Sequence, residues 1–229
     1  MNSFASPHTL TALPLRPPVE DLYARVFDAI LEQRISATCR FTEDSLALMF
    51  EVRRSDIRSV LTQLSHQQVI ILRSNHRPRV AALDIEQIRQ MLHARRLTEI
   101  TLMRLVCQRA RTQDLQPLHW LVESERECTA RGAAIRLSGE FHLRLADLAG
   151  NAPLAHFLGS LVPLSALAIV QAGVRTHDYC VWQIHHEILQ ALAHGNTEMA
   201  VALLTRHLDQ LEEALLHAGS VVSQKRVAG

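Results

Sequence analysis

The stretch Glu43-Asp44-Ser45-Leu46-Ala47-Leu48-Met49-Phe50-Glu51-Val52-Arg53-Arg54-Ser55-Asp56-Ile57-Arg58-Ser59-Val60-Leu61 decides the fold of the N-terminal half. It reads as two short helices about a tight turn. In the second helix Ile57, Val60, Leu61 and Leu64 fall at i, i+3, i+4 and i+7, the spacing of one buried stripe. Arg54 and Arg58 are four residues apart and share another face. An apolar inner stripe with arginines outside suits a helix that lies in the major groove of DNA, where a guanidinium offers guanine two parallel hydrogen bonds.

Working outward, Leu22, Val26, Ala29 and Ile30 recur at helical spacing and predict a first helix ending near Gln33. Downstream, Val69 to Leu72 reads as a strand, Arg73 to Pro78 as a polar turn, and Arg79 to Leu83 as the returning strand. Three helices and a hairpin make a winged helix-turn-helix over 19–83, preceded by a proline-rich arm, 1–18, expected to be flexible. The residues placed to meet DNA are Arg53, Arg54, Ser55 and Arg58 on the helix. His76, Arg77 and Arg79 on the wing are placed to touch backbone or minor groove. Between Arg53 and Arg79 there are six arginines and one acid, Asp56, while the whole chain carries a net charge of only +1, so the basic patch is local. The plainer alternative is a solvated charged face on an ordinary helix pair. The adjoining hairpin and the arginine excess favour DNA.

Composition is that of a packed globular chain: 48% hydrophobic, 21% charged and only 4% aromatic over 229 residues, so the core must rest on aliphatic side chains. Lys225 is the sole lysine; the arginine bias is read as genome composition. Cys39, Cys107, Cys128 and Cys180 have no CxxC spacing, which argues against a zinc knuckle or a disulfide framework and suits a reducing compartment. No signal-peptide order is seen at the N-terminus, and no apolar run is read as long enough to span a bilayer. Leu154 to Ala172 comes closest, but it holds His156 and Pro163. A cytoplasmic protein with no membrane association is expected.

After Asp84 the pattern changes. Helices are expected over 85–110, 114–130, 133–149, 154–172, 177–193 and 197–217, joined by short breaks that imply antiparallel neighbours. The fold class is therefore mainly α: an N-terminal winged helix-turn-helix plus a C-terminal all-α antiparallel helical bundle over 84–218, with a flexible tail at 219–229. Three histidines fall on apolar stripes of this bundle. His142 lies with Ser138, Phe141 and Leu145; His185 with Ile188 and Leu189; His207 with Leu203, Leu204 and Leu211. Burying one imidazole without a partner costs about 1–3 kcal/mol. Three from different helices suggest a shared divalent metal such as zinc, with a coordination position open for water or a small molecule. Three separately hydrogen-bonded core histidines are the plainer alternative, and pattern alone does not choose.

Both halves together resemble one family, the GntR-type bacterial transcription regulators of the FadR subgroup, whose C-terminal domain is called FCD. The resemblance rests on Glu43-x-x-Leu46-Ala47, on Val52-x-Arg54-x-x-Ile57-Arg58-x-x-Leu61, and on Phe141-His142-x-x-Leu145. It rests also on Gly150-Asn151-x-x-Leu154, His185-x-x-Ile188-Leu189-x-Ala191 and His207-Leu208. It implies a ligand-responsive, homodimeric, non-enzymatic regulator bound to a double-stranded operator. It further implies that Arg54 and Arg58 contact DNA, that His142, His185 and His207 ligate metal, and that Arg95 lies in the pocket of a small effector, often a carboxylic acid. The chain departs from the family pattern in several places. Ser138 stands where a metal-binding Asp is usual, Ala37-Thr38 replaces Pro-Gly, Arg53-Arg54-Ser55-Asp56 opens the recognition helix, and Pro78 replaces the wing glycine. The rival reading is an enzyme, a helical bundle that uses three histidines and a metal-bound water for hydrolysis or transfer, with Glu140 or Asp147 as base.

Overall fold

The computed structural model describes residues 19–174 and 182–227. The expected arm at 1–18, Cys180 and the first residues, 177–181, of the helix expected over 177–193 lie outside them. The N-terminal head comprises α1 (Val19–Leu31), α2 (Glu43–Phe50), α3 (Arg54–His66), β1 (Ile70–Ile71) and β2 (Arg79–Val80). The strands pair antiparallel with Ile70 opposite Val80, which is the wing hairpin, shorter at both ends than the apolar runs predict. Polar side chains set the helix boundaries. Thr42 caps α2 reciprocally with Ser45, and the helix stops at Glu51, which takes a left-handed conformation with φ 56°. Ile57, Val60, Leu61 and Leu64 of α3 are all buried, as their spacing requires.

The bundle comprises α4 (Ile85–Arg109), a short 3-10 turn at Thr112–Leu115, α5 (Gln116–Glu127), α6 (Arg131–Leu148), α7 (Ala152–Gln171), α8 (Trp182–Ala193) and α9 (Thr197–Val227). Asp84 caps α4 with Gln87 in return. The last helix runs on to Val227, past the end at 217 and through most of the tail expected from 219. One expectation needs correcting: α7 is long and apolar enough to cross a membrane by length and composition, with mean hydropathy 1.8. Its apolar surface is used inside the bundle, where an unbroken run from Leu161 to Val170 is buried against α4, α6 and α1.

Head and bundle are packed together. α1 lies along α6, and the approach is close at Gly132, where a Cβ would stand 3.0 Å from the carbonyl oxygen of Asp28. Arg136 of α6 donates to Asp28 of α1 at 2.7 Å, with both side chains largely shielded. Gln33 donates to the Val170 carbonyl, and Gln171 bonds both Ala81 and Leu83 behind the wing. A displacement of α6 or α7 is therefore felt by the head through an ion pair and several hydrogen bonds.

Candidate DNA interface and buried histidine centre

Arg53, Arg54, Ser55 and Arg58 are all exposed on α3 and its N-terminal cap, and His76, Arg77 and Arg79 are exposed on the wing. Among the described residues, nothing in the head covers the arginine face. Glu43 of α2 organises it: one carboxylate oxygen accepts from Arg58 Nε at 2.9 Å, and the other accepts from Arg54 Nε and Arg58 Nη2, each at 2.7 Å. Hydrogen bonds from Arg58 and then Arg54 hold the Glu43 carboxyl down at about 2. The pair is thus pre-set in orientation while staying open to phosphate. Beside the wing, a groove of about 550 Å³ is lined by Arg40, Arg73, Arg77 and Arg79. Arg40 escapes a reading of the sequence, because it sits in the irregular segment between α1 and α2, where no periodicity points to it.

The histidines of α6, α8 and α9 do converge. His142, His185 and His207 are buried, and each offers a ligand atom within 4.8 Å of the others. The Nε2 atoms of His142 and His207 are 3.2 Å apart. Phe141 stacks on His185 with ring centroids 4.1 Å apart and so fixes that imidazole's plane. Two carboxylates that the sequence reading missed complete the centre. Glu99 of α4 lies 2.6 Å from His142 Nδ1, and Glu125 of α5 lies 2.7 Å from His185 Nδ1. Each carboxylate favours the Nδ1–H tautomer and turns the Nε2 lone pair inward. Their signal was present: Leu118, Val122 and Glu125 fall at i, i+4 and i+7, and Glu99 continues the α4 stripe of Leu92, Arg95 and Leu102. An acid on a buried stripe is uncommon unless it has a partner.

Arg95 is buried and held from two sides at the edge of a small void. Its Nε pairs with Glu99, and its Nη1 donates to Ser165 Oγ at 2.7 Å. Burial, the largest single influence, would raise the Glu99 carboxyl, but the Arg95 guanidinium and the His142 ring together outweigh it and hold the group near 2. Burial pushes His142 down to about 4, against the pull of Glu99, so the imidazole is neutral at physiological pH and its lone pair is available. Ser138, at the position of the usual Asp, is buried and lines a small cavity with Arg95, Ser165 and His207. Glu140, considered as a catalytic base, is turned away and accepts from Arg144.

The donor set fits a divalent metal. Nitrogens bound to zinc at about 2.0–2.1 Å in tetrahedral geometry lie about 3.3 Å apart, and the His142–His207 separation is close to that. His142, His185 and His207 would hold the ion, Glu99 and Glu125 would hold two of the ligands, and the carboxylate absent at Ser138 leaves a position for another anion.

A winged helix-turn-helix with an exposed arginine face, carried on a bundle with a buried polar centre, defines the class as a sensor-linked DNA-binding regulator. The FCD domain matches residues 90–210, more than half of the chain. The regulator LutR of Bacillus subtilis (strain 168) is 25% identical over 193 residues, 75% of this chain and 88% of its own length. The Nta operon transcriptional regulator of Aminobacter aminovorans is 25% identical over 189 residues, 77% of this chain and 86% of its own. The fold is shared with Escherichia coli McbR/YncC, at TM-score 0.70 and 14% identity over 89% of this chain and 99% of that one. It is also shared with a Rhodococcus GntR regulator, at TM-score 0.69 and 21% identity over 87% and 98%. The chain belongs to the GntR-type transcription regulators of the FadR subgroup, with an FCD sensor domain. Regulators of this kind bind operator DNA and small-molecule effectors.

Proposed function

We propose that this protein is a cytoplasmic, homodimeric repressor or activator whose α3 reads an operator through Arg53, Arg54, Ser55 and Arg58, with His76, Arg77 and Arg79 of the wing on the backbone. Two-fold symmetry presents two such helices to a pseudo-palindromic site. The observation that carries the reading is the Glu43-oriented pair Arg54 and Arg58, exposed on a head that is tied to the bundle.

The bundle takes a small carboxylic acid as effector, anchored beside Arg95 and Ser138 and assisted by a divalent metal on His142, His185 and His207. When bound, the metal supplies a positive charge to which an effector carboxylate can coordinate. The chain's own contribution is orientation: Glu99 and Glu125 fix two imidazoles, Phe141 fixes the His185 plane, and Arg95 offsets the buried anion. Effector binding shifts α6 and α7, and the Asp28–Arg136 pair and the Gln33 and Gln171 bonds carry that shift to the head.

The test is selection of duplexes from fragmented genomic DNA by the full-length protein, followed by salt-titrated binding. Wild type should enrich discrete sites with a steep salt dependence, and Arg58→Ala should bind those sites more weakly with a shallower slope. Failure to enrich any site, or identical binding by wild type and Arg54→Ala/Arg58→Ala, rejects the reading.

A further inference from the structure

Two cavities lie on either side of one layer of side chains. The inner one, beside Arg95, Ser138, Ser165 and His207, holds about 10 Å³, room for a single water. The outer one holds about 390 Å³ and lies between head and bundle, with Tyr23 of α1 and Gln63 and Gln67 at the end of α3 on one side and Leu143 and Pro163 on the other. Ile135, Gly139, Val162 and Ala166 line both. Within this layer Val162 rests on the bare backbone of Gly139: a Cβ there would stand 2.9 Å from Val162 Cγ1. A single valine rotamer on a side-chain-free backbone is a small obstacle.

We propose that these cavities are the two halves of one ligand site. An acid that sets one carboxylate oxygen in the water-sized void beside Arg95 and Ser138 displaces Val162 and leaves the rest of its body in the outer cleft, against the DNA-binding head. The inner void accepts nothing larger than one oxygen, so the remainder of any acid must occupy the cleft. The ligand class is an elongated carboxylic acid whose body has one apolar edge and one polar edge, since Arg136, Glu140 and Arg144 line the cleft beside Leu143 and Pro163. That body meets Leu143 and Pro163 on the bundle side. On the other side it meets Tyr23, whose hydroxyl donates to Gln67 Oε1 at 2.7 Å and so ties α1 to the end of the recognition helix. The ligand then touches both domains directly. The proposal rests on the carboxylate-effector reading for the ligand, while the continuity of the two cavities is testable without any effector.

The closing experiment uses the full-length chain with Cys39, Cys107, Cys128 and Cys180 replaced by Ser and with Ser138→Cys added. The probe is methyl methanethiosulfonate, and the readout is the rate of mass increase at position 138. Filling the outer cleft by Ala24→Trp should slow labelling about tenfold or more, and Val162→Ala should speed it by a similar factor. If Ala24→Trp alters the far-ultraviolet dichroism, Gln63→Trp replaces it, since that side chain is already exposed. Equal rates in variants with unchanged dichroism overturn the joined site. Straight-chain monocarboxylates from acetate to octanoate then test the ligand. Affinity that climbs with chain length in wild type and levels off in Ala24→Trp supports the proposal, and affinity indifferent to length overturns it. If no acid binds while the labelling rates respond as expected, the carboxylate reading fails and the continuity of the cavities stands.

Discussion

Glu125 offers a sharp test of the histidine centre, because it meets His185 at Nδ1, the ring atom turned away from the proposed metal, and is not itself a proposed ligand. It lies 2.7 Å from His185 Nδ1, with both side chains buried. Removing such an outer partner typically lowers metal affinity 10–100-fold. Glu125→Gln keeps an oxygen acceptor for Nδ1–H but loses the charge that makes the ring more basic, so it belongs at the low end, about tenfold or 1.4 kcal/mol. Glu125→Ala removes the acceptor as well. It belongs near a hundredfold and also lowers metal-free stability by about 1–3 kcal/mol, the cost of depriving a buried donor. The assay is zinc competition against a chromophoric chelator, with thermal unfolding in chelator and in zinc. Wild type in free zinc a hundredfold above its Kd should gain about 2.7 kcal/mol, or roughly 5–10 °C for a chain of this size. If Glu125→Gln binds zinc as wild type does while His185→Ala does not, the orienting role is wrong. If zinc leaves wild type unmoved, the centre is not a metal site and the fit of its donor set is accidental.

Three further outcomes are expected. Arg58→Ala should reduce the slope of log affinity against log salt by about 0.9 for each phosphate that the arginine neutralises, as read by fluorescence anisotropy on the selected duplex; an unchanged slope would place Arg58 off the backbone. Glu43 has its folded pKa near 2, below the ordinary 4.5, so its contribution is present above about 4.5 and fades as pH falls toward 2. The melting-temperature difference between wild type and Glu43→Gln should shrink over that acid range, and a difference independent of pH would disconnect Glu43 from the arginine pair. Asp28→Ala and Arg136→Ala should each destabilise, and their double-mutant cycle should return a coupling of about 0.5–3 kcal/mol. A coupling of zero would mean that this ion pair does not join head to bundle.

The sequence was most legible where one periodicity suffices. The α3 stripe Ile57–Leu64 and the arginines on its outer face are fixed by helical spacing, because a helix places residues four apart on one side whatever surrounds it. The hairpin was readable from two apolar runs around a polar turn, and the three histidines from their places on apolar stripes. Glu99 and Glu125 were readable in principle but escaped notice. Each is charged, and a charged residue on a stripe looks like the stripe's edge until a partner is known. Arg40 and the α7 surface were not readable in that way: the first needs the fold of an irregular segment, and the second needs to know that α4, α6 and α1 cover it.

Local sequence by itself determined the helices, the wing, the direction of the arginine face and the inward facing of His142, His185 and His207, because each depends on backbone period and on burial of apolar area. Only the tertiary structure decided that the three imidazoles meet, that Glu99 and Glu125 hold two of them, that Glu43 reaches both Arg54 and Arg58, and that a cleft at the end of α3 abuts the buried centre. These are contacts between elements far apart in the chain. Periodicity fixes which face of a helix is buried, but the neighbour that face meets is set by how all the helices pack at once.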